Sequence, residues 1–182
     1  MIQQADAGDI IAQRVVPIAL EDTALTLFGK VAQAALELFR ETFPLIKAGH
    51  APRTPQDPAR ATYFGSRTPD DGRIDWSRSA LGLYNLVRAV TPPYPGAFTA
   101  CRGKKLYVWS SRLIPDSADE PWPPGTIVGI QNGGCLVATG AGHLLLTLVQ
   151  GEGEEVISGE TWFHRAGVEA GMRLGEGSGE EE

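Results

Sequence analysis

The chain has 182 residues, 42% apolar and 21% charged, which allows one domain or two small ones and excludes both a mini-protein and wholesale disorder. Its 22 Gly and 13 Pro point to turns and short strands rather than a helical bundle, and a net charge of −6 disfavours a general affinity for nucleic acid or an anionic membrane. That charge is uneven: residues 116–182 hold two basic and twelve acidic groups, residues 70–115 seven basic and three acidic.

In chain order, Asp6-Ala7-Gly8-Asp9 reads as a turn, and Ile10 to Ile18, rich in β-branched residues, reads as a strand leaving it. Asp22 is placed to cap a helix over Thr23–Arg40, with Ala24, Leu27, Phe28, Val31, Ala34, Ala35 and Leu38 forming a one-sided apolar stripe. Pro44 is expected to stop or redirect that helix. A short turn follows through Leu45–Ala48, and Pro52, Pro55 and Pro58 make an extended connector. One strand and one amphipathic helix cannot build a two-layer domain, so the stripe predicts a missing cover or association through helix 23–40.

Thr68-Pro69-Asp70-Asp71-Gly72 is a strong turn signal at the change in charge balance, and the domain boundary is placed there. A helix capped by Ser77 or Ser79 runs to Val90, with Leu81, Tyr84, Leu86, Val87 and Val90 apolar, and Pro92-Pro93 ends it. Five apolar runs follow, Ala97–Cys101, Leu106–Leu113, Thr126–Ile130, Cys135–Thr139 and Leu144–Gln150, separated by turns such as Arg102-Gly103 and Asn132-Gly133-Gly134. Evenly spaced strands of this kind suggest a small barrel. A short helix over Gly159–Ala166 precedes an acidic tail, 176–182, of disordered composition.

Cys101 and Cys135 lie 34 apart with no partner at metal-ligand spacing, so no zinc site and no disulfide framework is expected. No apolar run approaches the roughly 20 residues of a spanning helix, residues 1–20 lack a signal peptide's pattern, and a cytoplasmic, non-membrane protein is expected.

Taken alone, Asp6 is most simply a turn residue bonding local backbone. A longer series carries more: Ala5-Asp6-Ala7-Gly8-Asp9-Ile10, then Ala61-Thr62-Tyr63-Phe64 through Asp75-Trp76, then Asn85-Leu86-Val87-Arg88-Ala89-Val90 with Pro93-Tyr94-Pro95-Gly96-Ala97-Phe98, then Val108-Trp109-Ser110-Ser111-Arg112. In order and spacing this resembles the folate-dependent formyltransferases. The wording is most similar to the enzymes of polymyxin resistance and lipid A modification that formylate UDP-4-amino-4-deoxy-L-arabinose, with the methionyl-tRNA formyltransferases as near relatives.

The resemblance implies an α/β remnant of a Rossmann-like catalytic domain over residues 1–69, followed by a small OB-type β-barrel over 70–175. It implies 10-formyltetrahydrofolate as formyl donor, no metal, and the amine of a sugar nucleotide as acceptor. In the family an Asn and a His of an Asn-x-His strand end act with an Asp matching Asp6; the preceding loop, here Ile2, Gln3, Gln4 and Ala5, contacts the folate. His50, His143 and His164 stand in no Asn-x-His context. The chain is therefore expected to be a fragment, catalytically incomplete alone.

Two further readings stay open. One is the C-terminal portion of a methionyl-tRNA formyltransferase, against which the acidic last third weighs. The other is a non-catalytic OB-type module using Arg102, Lys104, Lys105 and Arg112 with Tyr107 or Trp109 for stacking; strand alternation places Trp109 in the core instead. Trp76 and Arg88 are read as anchors of the boundary helix, Arg88 through Asp75 or Asp71.

Overall fold

The computed structural model describes residues 6–115 and 122–175, so Ile2–Ala5 and the acidic tail lie outside the described residues. The chain divides into two compact units, residues 1–66 and 67–182.

The first unit is built on one helix, α1 (Ala24–Lys47). Its N-cap is Thr23, whose hydroxyl accepts from the Thr26 N–H while Thr26 returns a bond to the Thr23 N–H. Asp22, expected as the cap, sits one residue too early and does another job. It is buried, and its carboxylate accepts from the Lys30 ammonium and the Ala19 N–H at 2.7 Å each and from the Thr26 hydroxyl at 3.0 Å. These partners, the Lys30 bond first, hold the Asp22 carboxyl below the usual carboxylate range.

Pro44 does not stop α1; the helix runs through it to Lys47. A proline removes a single donor, and this helix buries no residue, so the freed Arg40 carbonyl can turn to water. The true stop is Gly49, in the left-handed region (φ 72°), where the N–H groups of Gly49 and His50 return to the carbonyls of Ile46 and Leu45. The strand expected from Ile10 to Ile18 is reduced to one antiparallel bridge, Ile10 with Thr54. Among the described residues no other β-bridge joins this segment, and β-branched content without a partner ladder does not make a strand.

The second unit has a polar entrance. Thr68 and Asp71 close a capping box around the 3₁₀ turn Pro69–Gly72. Asp75 accepts from the hydroxyl and N–H of Ser77, which holds its carboxyl low. Ser77 is thereby spent, and Ser79 caps α2 (Ala80–Val90) by accepting from the Gly82 N–H. The buried positions of α2 are Ala80, Leu83, Val87 and Val90, one stripe at spacings of three and four; Leu81, expected inside, is half exposed.

Among the described residues six strands form one antiparallel sheet: β1 (Ala97–Cys101), β2 (Lys104–Leu113), β3 (Ile127–Gln131), β4 (Gly134–Ala138), β5 (His143–Gly151) and β6 (Ile157–Ser158). Their order is β1-β2-β5-β4-β3, with β6 added on β5. The hairpin turns Arg102-Gly103 and Asn132-Gly133 have positive φ at both residues, the two-residue turn that suits the twist of paired strands. The short helix α3 (Gly159–Arg165), capped by Ser158, follows β6.

Leu83 and Val87 of α2, Trp162 of α3 and the inward strand residues Leu106, Val108, Val137, Leu144, Leu146 and Val149 share one core. Trp76 belongs to this core, its indole N–H donating to the Thr99 hydroxyl at 3.0 Å. Cys135 is buried there as a free thiol pushed up to about 12 by burial. The segment Gly171–Gly175 bonds to both outer strands' ends: Gly171 and Met172 with Ile127, Leu174 with Gly125, Gly175 with Ala100.

Two tests follow from this packing. A Cβ at Gly140 would run into the Ser77 carbonyl, whereas one at Gly29, inside α1, meets nothing. Urea unfolding of Gly140→Ala should show a loss of about 2 kcal/mol or more, and Gly29→Ala a gain of about 0.5–1 kcal/mol. Because the Asp22 carboxyl is lower in the folded chain than unfolded, its contribution is present above about pH 4 and lost as the pH falls through the depressed value. Amide NMR should show the first turn of α1 loosening only in that acid range, a step that Asp22→Asn removes.

Candidate functional site

Asp6 opens the described chain in a left-handed conformation (φ 59°), a region that Asp enters more readily than most non-glycine residues. The turn is held from outside: the Gln56 side-chain amide donates to the carbonyls of Asp6 (2.8 Å) and Gly8 (2.7 Å), and two backbone bonds join Ile10 to Thr54. The Asp6 side chain is left exposed. Beside it Ala7, Gly8 and Asp9 form one wall of a cleft of about 320 Å³, completed by Ile11, Ile46, Gly49, Ala51 and Arg53. Gln56 escapes sequence reading because a polar residue in a Pro-rich connector carries no periodic signal.

Arg14 donates to Glu37 and Glu41 on α1 at 2.6 and 2.7 Å, the latter through both carboxylate oxygens. This clamp ties the segment after the Asp6 turn to the helix. Of the proposed folate-contacting residues, Ile2, Gln3, Gln4 and Ala5 lie outside the described residues, so only Asp6 is placed.

In the second unit the aromatic residues stand where alternation puts them, though on the opposite face from the one expected for Trp109. Leu106 and Val108 point into the core, so Tyr107 and Trp109 are half-buried on the outer face. They stack at 5.7 Å, with Phe98 next to Tyr107 at 6.4 Å. Both ends of this ladder are closed. Lys105 lies over Phe98 and Tyr107, Arg73 over Phe98, and Gly96 is so close to the Trp109 ring that a Cβ there would come within 2.7 Å of it. The Trp109 N–H is taken by Gln150. A stacking platform needs an open ring face, and these contacts occupy faces of the ladder that a base would need.

The basic patch read from the sequence is likewise structural in part: Arg102 donates to the carbonyls of Ala166 and Gly167 at 2.8 Å each. Lys104 and Lys105 do border a cavity of about 620 Å³, but they share its lining with Glu152, Glu154 and Glu155. Arg88 donates to Asn85 at 2.8 Å, while Asp75 and Asp71 serve Ser77 and Thr68. Among the described residues no group of three His, Cys, Asp or Glu could hold a metal ion, and no helix is long and apolar enough to cross a membrane.

An antiparallel sheet with few helices fits a formyl transferase C-terminal domain. The formyl transferase C-terminal domain family matches residues 67–167, and the chain belongs to it. Among solved structures, HypX from Aquifex aeolicus is similar over 93% of this chain and 30% of its own, at 18% identity and a TM-score of 0.66. HypX in complex with tetrahydrofolic acid is similar over 89% and 28%, at 17% identity and 0.60. The N-formyltransferase from Helicobacter canadensis, in complex with folinic acid and dTDP-3-aminofucose, is similar over 80% and 52%, at 16% identity and 0.61. The likeness is one of fold, and this chain spans about a third and about half of those proteins.

The Gln56 tether is testable. Gln56→Ala should free the Asp6 turn at a cost of about 1–2 kcal/mol of local stability, seen as faster hydrogen exchange at residues 6–9 with the Ile10 and Thr54 amides still protected. Unchanged exchange at 6–9 would show that the turn holds itself.

Proposed function

We propose that the chain is the C-terminal part of a folate-dependent formyl-transfer enzyme, with Asp6 as its contribution to catalysis. The family match over residues 67–167 carries this reading, and the exposed Asp6 carboxylate on a braced turn supports it. Residues 1–66 then correspond to the end of a Rossmann-like catalytic domain and residues 67–175 to an OB-type barrel. The formyl donor is 10-formyltetrahydrofolate, approached by Ile2–Ala5.

Asp6 has a definite physical task in this scheme. An ionised carboxylate beside an imidazole favours the protonated ring and raises its pKa, so that the ring can give up a proton as the tetrahedral intermediate forms and collapses. A neighbouring Asn and the protonated ring stabilise the oxyanion. The chain holds no Asn-x-His sequence, and its histidines are His50, His143 and His164. The 182 residues therefore supply the carboxylate and the barrel, and another polypeptide segment supplies the Asn and His.

For the acceptor we propose the amine of a sugar nucleotide, in a cytoplasmic setting. Residues 116–182 sum to −10, the wrong sign for holding tRNA phosphates, and the Helicobacter relative was solved with an amino-sugar nucleotide.

The pure chain should show no turnover of 10-formyltetrahydrofolate with any amine. Mixed with a polypeptide carrying the Asn-x-His segment it should gain activity, and Asp6→Asn should then lower kcat by about 10²–10⁴-fold. Turnover by the chain alone, or full activity of the Asp6→Asn mixture, would sink the reading. Formylation of methionyl-tRNA in preference to amino-sugar nucleotides would overturn the acceptor.

A further inference from the structure

We propose that Gln56 is the positioning residue of the Asp6 carboxylate: by fixing the backbone of residues 6–8 it sets where that carboxylate stands during formyl transfer. This inference rests on the role given to Asp6 above and names the group on which that role depends.

Asp6 has a φ of 59°, and a non-glycine residue keeps such a conformation only where its surroundings over-determine it. The Asp6 side chain is not what holds the turn, since among the described residues it makes no hydrogen bond or ion pair and stands exposed. The Gln56 amide reaches the turn instead, its Nε2 donating to the Asp6 carbonyl at 2.8 Å and to the Gly8 carbonyl at 2.7 Å. Both partners can only accept, so the amide must face them with its nitrogen. A carbonyl's direction follows the ψ angle of its own residue. The two bonds therefore restrain ψ at Asp6 and at Gly8, and with them the direction in which Asp6 projects its carboxylate.

Gln56 is itself delivered from a stiff base. Two residues before it Thr54 exchanges backbone bonds of 2.8 and 2.9 Å with Ile10, and Pro55 has its φ set by its ring. Directly after it Asp57 caps the turn Pro58–Arg60 by accepting from the Ala59 N–H at 3.0 Å. The chemistry of the tether also suits the task. A lysine or arginine could donate to the same carbonyls, but it would bring a cation beside Asp6 that competes with an imidazole for the carboxylate. A neutral amide fixes the turn and leaves the negative charge free to raise the pKa of the ring.

The test uses the mixture with the Asn-x-His polypeptide and compares Gln56→Ala, Gln56→Met, Asp6→Asn and the double variant with both Gln56→Ala and Asp6→Asn. Gln56→Ala should lower kcat by about 10–10²-fold, the loss that follows when a reacting group is misplaced by about 1 Å. Gln56→Met, of similar length but without a donor, should fall as far, while KM for 10-formyltetrahydrofolate stays within about twofold in both. The alkaline fall of kcat, which follows loss of the imidazole proton, should move to lower pH in Gln56→Ala and in Asp6→Asn alike. A smaller folded fraction would lower kcat at every pH without moving that limb. On top of Asp6→Asn, Gln56→Ala should cost no further activity, because it acts through that carboxylate. An unmoved alkaline limb, effects that multiply in the double variant, or full activity of Gln56→Ala beside an impaired Asp6→Asn would overturn the positioning role and leave Asp6 catalytic. Full activity of Asp6→Asn, or an inactive unsubstituted mixture, would instead remove the reading of Asp6 itself and this role with it. Unchanged hydrogen exchange at residues 6–9 in Gln56→Ala, measured on the chain alone, would overturn the role without any assay of activity.

Discussion

The outer strands of the main sheet, β1 and β3, both find hydrogen-bond partners in or near the five-residue segment Gly171–Gly175. An edge strand left open is a line of unpaired donors and acceptors, prone to pair with any passing chain. Here one segment, delivered by the turn after α3, ties down the end of β3 and reaches Ala100 on β1. Val168 just before it and Leu174 within it are buried, so the stretch that engages the edges also seals the core. The placement of Trp76, which donates to Thr99 on β1 and lies close to Gly125 and Gly175, depends on that closure.

The first unit is held together by different means. α1 buries no residue, and what fixes the segments around it is polar: Arg14 on two glutamates, Asp22 on Lys30 and Ala19, Gln56 on the Asp6 turn. Of these ties the exposed ion pairs of Arg14 contribute little each, whereas the Asp22 carboxylate is buried. They set direction well, because each is a short, oriented bond, and they leave the apolar surface unpaid in free energy. The Asp6 turn on such a frame has a defined position.

The sheet was legible because its signals are local. Arg102-Gly103 and Asn132-Gly133 are turn dipeptides whose required φ values few other pairs supply, and they fix the hairpins on either side. Ser79, one of the two serines read as a cap, does cap α2, and Ser158 caps α3. The misreadings have one cause, the dependence of local preference on what lies opposite. Ile10–Ile18 has strand composition with one bridge to pair it, Pro44 is harmless where a helix faces water, and Trp109 obeys alternation while its neighbours decide which face is the core. At the candidate site, Asp6 was visible as a turn residue and through its resemblance. Gln56, fifty residues away in sequence, could be found only from the fold.

The distribution of tryptophan gives the molecule a built-in optical division. All four, Trp76, Trp109, Trp122 and Trp162, belong to the second unit, and the first contains none. Its 24-residue α1 is, by contrast, longer than α2 and α3 together, which have 11 and 7 residues. Indole emission therefore reports the sheet unit alone, and the far-ultraviolet helical signal is weighted toward the unit that carries Asp6. A single sample watched at the two wavelengths separates the melting of the sheet unit from that of the unit that holds α1.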